Sequence, residues 1–178
     1  MRHSFRIFLV EDDPWYGQIL KYQLSRNEDY EIHLFETARE CLNNLYLKPD
    51  LFCVDYGLPD MKGDVLLAEL IRWNQNTPVI IISAQEDIKV AVNLLKAGAR
   101  EYLVKDENTP EVLWRSILNI RETLVLKIEV EELKTELRKN YSFNKYLTGD
   151  SEALQKVTRL IDKAIKSNIN VSITGEKH

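Results

Sequence analysis

No basic face is visible in this chain: 24 Lys and Arg are outnumbered by 28 Asp and Glu, giving a net charge of -4. That balance supplies no electrostatic footprint for nucleic acid, so direct contact with DNA is not expected. Cysteine is nearly absent. Cys41 falls in a helical pattern and Cys53 in a strand pattern, without paired spacing, so buried thiols in a reducing compartment are expected rather than a disulfide or a metal site. There is no uninterrupted apolar span of membrane length and no apolar leader before a small-residue cleavage site, which predicts a cytoplasmic protein without membrane contact. With 178 residues there is room for one full domain and an appendage, and the apolar fraction of 44% suits a globular core.

What is present is a series of short apolar runs, each ending in a chemically active side chain. Phe5 to Val10 reads as a central strand, followed by Glu11 and Asp12, then Asp13 as a helix N-cap and Pro14 as the first helical residue. Ile19, Leu20 and Leu24 continue that helix. Tyr30 to Leu34 alternates and predicts an edge strand, and Thr37-Ala38-Arg39-Glu40 is a capping box opening a helix through Leu42 and Leu45. Phe52-Cys53-Val54 delivers Asp55 to a strand tip before Gly57 and Pro59 force a loop. Gly63 precedes a helix with Leu66, Leu67, Leu70 and Ile71 inward. Val79 to Ile82 is apolar enough for a strand covered on both faces, and it ends in Ser83. A fourth helix through Val90, Val92, Leu94 and Leu95 stops at Gly98, a left-handed cap, and Glu101 to Val104 is a fifth strand ending in Lys105.

Five strands alternating with helices predict an α/β, doubly wound parallel sheet, because parallel neighbours require right-handed crossovers. Glu11, Asp12, Asp55, Ser83 and Lys105 then share the carboxyl rim, where ligands bind in open α/β sheets. Crowded carboxylates need a cation, and hard oxygen ligands with open water positions favour Mg2+. Asp55 could attack a phosphoryl group held there, with the Lys105 ammonium and Ser83 hydroxyl meeting the transferred oxygens. Taken singly, each residue has an ordinary use. Lys105 could form a weak surface pair, Ser83 a helix cap, and Glu11-Asp12-Asp13 a charge cluster favoured at a helix start. Those uses do not explain why acids, hydroxyl and amine end four different strands.

The motifs Val10-Glu11-Asp12-Asp13, Val54-Asp55-Tyr56-Gly57-Leu58-Pro59-Asp60-Met61-Lys62-Gly63, Ser83-Ala84 and Tyr102-Leu103-Val104-Lys105 resemble those of receiver domains of two-component response regulators, over residues 5 to about 122. The resemblance implies a flavodoxin-like sheet of order 2-1-3-4-5, the order for which receivers are a standard example. It implies that Asp55 accepts a phosphoryl group from a sensor histidine kinase, and that Asp12, Asp55 and the Gly57 carbonyl bind Mg2+, with Glu11 acting through metal-bound water. Ser83 and Lys105 would hold the phosphoryl oxygens, and Tyr102 would be the switch aromatic. The output surface is expected over residues 84 to 122, on the fourth helix, fifth strand and fifth helix. One absence departs from the family: many receivers have Pro after the lysine, where this chain has Asp106, so no cis peptide is expected there.

No Gly or Pro interrupts the chain between Pro110 and Gly149, so the helix opened by Thr109-Pro110-Glu111 is expected to run on, reaching roughly 45 Å over about 30 residues. Leu113, Ile117, Ile120 and Leu124 form one stripe, facing the receiver core or a partner receiver. Leu126, Val130, Leu133 and Leu137 form a second, out of phase, which reads as a short two-stranded coiled coil and a homodimer through the linker and the helix 4/5 face. A single amphipathic helix packed within the chain is the plainer alternative. Residues 1-122 are thus expected to be the receiver, 123-147 a helical coiled-coil linker and 148-178 the start of a further domain. The last stretch, with Val171-Ser172-Ile173-Thr174-Gly175-Glu176, resembles the opening of the AAA+ domain of sigma-54-dependent activators. It lacks the second glycine and the Lys-Ser/Thr pair of a phosphate-binding loop, so no ATP hydrolysis is expected from it. A fragment of a longer regulator is implied, with Lys177-His178 open to being an appended pair.

Two rival functions have discriminating features. An aspartyl-phosphate hydrolase of the haloacid dehalogenase type wants a second acid two positions after the nucleophile, and that position is Gly57. An interaction module that is never phosphorylated would not need the full set of acids, hydroxyl and lysine. Labelling by acetyl phosphate and turnover of generic phosphoesters separate the three.

Overall fold

A computed structural model describes residues 4–140 (side chains to 137), 151, 155–157 and 159–160. Five strands, β1 (Phe5–Val10), β2 (Tyr30–Phe35), β3 (Leu51–Asp55), β4 (Val79–Ser83) and β5 (Glu101–Val104), form one parallel sheet in the order β2-β1-β3-β4-β5. The helices α1 (Pro14–Leu24), α2 (Ala38–Asn43), α3 (Gly63–Trp73), α4 (Ile88–Lys96) and α5 (Thr109–Asn140) follow the strands in turn. The doubly wound order expected from the motifs is therefore the observed one.

β3 and β4 are buried along their whole length, as continuous apolar runs in a parallel sheet should be. Phe8, Val10, Phe52, Val54, Val79 and Ile81 point to one face and pack with Cys41 of α2, Leu66, Leu67 and Leu70 of α3, and Leu94 of α4. Ile7, Leu9, Cys53 and Ile80 alternate to the other face. α1 and α5 supply Leu20, Leu24, Leu113, Ile117 and Ile120 as further buried residues. The first apolar stripe of α5 is thus buried at its first three positions.

Local signals set the helix starts. Asp13 Oδ1 accepts from the Trp15 and Tyr16 amides, at 2.9 and 3.1 Å, and Pro14 occupies the first turn. Thr37 caps Glu40 N, and the Glu40 carboxylate reaches back to Glu36 N rather than to Thr37 N, one residue earlier than an ideal capping box. α2 is shorter than expected: its α-helix ends at Asn43, and Leu45 lies in a 3-10 turn, Leu45–Leu47. Gly98 has φ +109° after α4, as the stop signal required. No peptide bond is cis among the described residues, Asp106 included.

Both cysteines are free and buried, and burial pushes the Cys41 thiol up to about 12 and Cys53 higher still. Neither thiol ionises near neutral pH, so both should resist Ellman's reagent in the native chain and react together on unfolding. Rapid release of one equivalent from folded protein would contradict this burial.

The described residues separate into two compact units, Met1–Thr123 and Leu124–His178. In the second, Leu126, Val130, Leu133 and Leu137 of α5 are all exposed. The expected AAA+ opening over residues 148-178 lies outside the described residues, apart from Ser151 and a few positions between 155 and 160. Among the described residues no helix is long and apolar enough to cross a membrane.

Candidate functional site

β1, β3, β4 and β5 end side by side because their registers are aligned: Val10 pairs with Val54, Asp55 with Ile82, and Ser83 with Val104. Whatever follows each last apolar residue is therefore delivered to the same rim. Glu11, Asp12 and Asp55 each present an oxygen there, all within 4.8 Å of one another. Glu11 is 1% exposed and Asp55 6%, whereas Asp12 faces solvent.

Lys105 joins this cluster from β5. Its Nζ donates to Glu11 Oε1 at 2.8 Å and to Asp55 Oδ2 at 3.0 Å. One ammonium thus answers two buried carboxylates. Burial works to lower the Lys105 pKa, but the hydrogen bonds to Glu11 and Asp55 outweigh it and hold the amine charged. Burial also raises the Glu11 carboxyl to about 7, with Asp55 adding to the rise against the opposing pull of Lys105.

The loops around the acids are tied down. Gly57 N donates to Asp55 Oδ1 at 3.1 Å, and Tyr56 N to Ile82 O at 2.8 Å. Asp60 Oδ1 and Oδ2 accept from Ala38 N and Arg39 N, both at 3.0 Å, so the loop after Asp55 also caps α2. These bonds draw the Asp60 carboxyl below the usual range, against a burial effect that is the largest single contribution. Ser83 Oγ accepts from Gln85 N at 3.1 Å, and its carbonyl accepts from Lys105 N at 2.7 Å. Tyr102 lies partly buried against the core with its hydroxyl donating to Gln85 O at 2.6 Å.

All of the expected site residues thus meet at one rim or in the loops beside it, although Ser83 Oγ turns to its own loop rather than to the acids. Sequence reasoning missed two participants. Tyr16 places its ring under the Lys105 ammonium, 4.7 Å from Nζ to the centroid. Thr109 closes the turn after Lys105, with Oγ1 accepting from Asp106 N at 2.7 Å and donating to Val104 O at 3.0 Å. The capped start at Asp13 was a usable signal for Tyr16, since it puts the third helical residue one turn below the rim.

The donor set suits a divalent cation. All three contributions are hard oxygens, Glu11 Oε2 is buried with no hydrogen-bond partner, and Asp12 opens to water that could complete an octahedron.

A five-stranded doubly wound domain with acids, amine and hydroxyl on one rim defines a receiver-type module. Residues 7–116 match the model of the response regulator receiver domain. The DNA-binding transcriptional regulator NtrC of Proteus hauseri is 31% identical over 180 residues, covering 96% of this chain and 35% of that protein. The regulatory protein LuxO of Vibrio cholerae is 29% identical over 149 residues, covering 83% of this chain and 31% of the relative. Among solved structures, the signal receiver domain of a LuxO repressor protein from Vibrio parahaemolyticus superposes with a TM-score of 0.64 at 34% identity, over 71% of this chain and 96% of that one. NtrX from Brucella abortus, at 24% identity, shares the fold with a TM-score of 0.65 over 92% of this chain and 35% of that one. The chain belongs to the response regulator receiver family. It spans about a third of the length of these curated relatives. Receivers of this family are generally phosphoacceptors that bind Mg2+ at an acidic pocket, and this chain has an acidic cluster, Glu11, Asp12 and Asp55, at its rim.

Proposed function

We propose that Asp55 is the phosphoacceptor, and that the chain receives its phosphoryl group from a phosphohistidine of a sensor kinase. The observation that carries this reading is the shared ammonium: Lys105 Nζ bonds Glu11 and Asp55 at once, beside a third acid. In the transfer, an Asp55 carboxylate oxygen forms the new bond to phosphorus as the P–N bond breaks, and the imidazole keeps the electron pair. Asp12, Asp55 and the Gly57 carbonyl would hold Mg2+, with Glu11 acting through bound water; bound there, the ion offsets charge on the phosphoryl oxygens.

The other roles belong to this chain's own side chains. Asp55 is already oriented by Gly57 N and Lys105. Lys105 follows the negative charge from the carboxylates to a phosphoryl oxygen. Ser83 Oγ accepts from Gln85 N and so keeps its proton free to donate to a second oxygen. Because Tyr102 is bonded to the same residue's carbonyl, a shift of Ser83 and Gln85 reaches the β5 surface directly. Phosphorylation adds roughly -1.5 to -2 units of charge, enough to bias two pre-existing arrangements of this loop.

α4 supports the assignment of the output face. Of its apolar residues only Leu94 is fully buried; Ile88 is 80% exposed, and Val92 and Leu95 are also exposed. The sheet cannot cover this stripe, which suits docking on the α4, β5 and α5 face. We assign the signal's destination to a transcription-activating ATPase beyond the receiver. The test of the phosphoacceptor reading is intact-mass measurement after acetyl phosphate and Mg2+. One added phosphoryl group, lost when EDTA is included, is expected. No gain with Mg2+, or steady turnover of generic phosphoesters, would overturn it.

We also infer a homodimer through the second half of α5. In a parallel pair Val130 and Leu137 occupy one core position, and Leu126 and Leu133 the other, the β-branched residue and leucines compatible with two strands. That register sets Glu122 and Glu129 opposite Lys127 and Lys134 of a second copy. Sedimentation at micromolar concentration should show a dimer for the intact chain and a monomer for one ending near residue 122. Leu133→Asp should behave as the shortened chain does; identical monomers throughout would defeat the coiled coil.

A further inference from the structure

Lys105 must change partners if Asp55 is phosphorylated, and two of its three flanks are the carboxylates it must loosen. The third is the face of Tyr16. α1 comes close to the rim at this level: a Cβ on the buried Gly17 would lie 3.1 Å from Leu34 Cδ1 and 3.5 Å from Glu11 Cγ. The Asp13 cap on Tyr16 N fixes the backbone one residue earlier. Tyr16 is thereby held beside the turn that carries Lys105, with its hydroxyl buried next to Thr109 of that same turn. The contact with the ammonium is made by the ring face, 4.7 Å from Nζ to the centroid. The ring's negative face attracts a cation in a way that does not depend on the direction of an N–H bond.

We propose that Tyr16 is the positioning residue for Lys105, its ring face holding the ammonium at the rim while the charge passes from the Glu11–Asp55 pair to the phosphoryl group. The inference rests on Asp55 being the phosphoacceptor. Unlike either carboxylate, the ring carries no net charge, so it does not compete with the phosphoryl oxygens for the amine. A ring that served only as a spacer would act equally with or without the lysine, and that difference can be measured.

The experiment uses the full chain with Mg2+ and beryllofluoride as the phosphoryl mimic, followed by calorimetry. Tyr16→Leu should weaken beryllofluoride binding about fivefold. Tyr16→Phe, which keeps the ring, should restore it. In a Lys105→Ala background the leucine substitution should cost nothing further. In parallel, the Lys105 Cε protons should show an upfield ring-current shift in the wild type and Tyr16→Phe, absent in Tyr16→Leu. Unchanged binding in Tyr16→Leu, or an equal loss with and without Lys105, would overturn the positioning role. A wild-type chain that binds no beryllofluoride would remove the phosphoacceptor reading instead; an absent ring-current shift in that same chain would remove the Tyr16 contact as well.

Discussion

A chain carrying Asp55→Asn should take up no phosphoryl group from acetyl phosphate and Mg2+, while unfolding at a urea concentration no lower than the wild type. The first half follows from chemistry: a carboxamide has neither the charge nor the nucleophilicity to form the acyl phosphate. The second half follows from crowding. Three acids approach within 4.8 Å, two of them share one lysine, and Asp55 is nearly buried. Asn keeps the shape and can still accept from Gly57 N at Oδ1; its Nδ2 cannot accept from Lys105 Nζ, which keeps Glu11 as its partner, and one charge is removed from the cluster. Relief of the repulsion among the carboxylates offsets the lost bond, so the substitution should be neutral or stabilising by about 1 kcal/mol. The pairing of the two results is what discriminates. A merely structural aspartate, held by Lys105 to brace β3 against β5, would cost stability when neutralised. Mass measurement gives the labelling and denaturant titration the stability; persistent labelling would move the acceptor to another residue.

Much of this site was legible because it is written in strand ends. Four of the five apolar runs stop at a residue that matters, and parallel registers turn four separate stops into one rim; the relation of Val10 to Val54 and Asp55 to Ile82 needs no knowledge of tertiary packing beyond the sheet. Helix starts were equally readable, since Asp13, Pro14 and Thr37 act within one turn of themselves. The strand order itself rested on family resemblance. What could not be read depends on groups that meet across elements. Tyr16 looks like any helical aromatic until α5's turn and Lys105 are set over it. Asp60 looks like a loop acid until α2 is placed where its amides can be capped. The helix α4 was legible but its exposure was not: periodicity counts apolar residues without knowing how much sheet is available, and Ile88, Val92 and Leu95 are left exposed.

Gly63→Ala should be the most destabilising single-methyl change in the receiver, at about 3 kcal/mol, and should slow labelling of Asp55 in the fraction that remains folded. Gly63 has no unusual backbone torsion that only glycine could adopt; its constraint is space. A Cβ there would lie 2.7 Å from Tyr56 Cα and 2.9 Å from Tyr56 Cδ2, and 3.4 Å from the Asp55 carbonyl oxygen. Rotation of the tyrosine relieves the second contact but not the first, which is backbone. The pair is also clasped, with Gly63 N donating to Tyr56 O at 2.9 Å, so α3 cannot back away without losing that bond. Any relaxation therefore moves the peptide next to Asp55, and with it the carboxylate that Lys105 and Gly57 now hold. Gly98→Ala is the proper control. There the added Cβ meets the flexible tip of Ile71 at 2.6 Å and the strain of φ +109°, but no neighbouring backbone and no site residue. It should lose less stability, about 1 to 2 kcal/mol, and label at the wild-type rate. Urea midpoints and initial labelling rates for the two variants give both comparisons. Equal stability losses with equal labelling would mean that the closeness of α3 to the β3 tip has no hold on the acceptor.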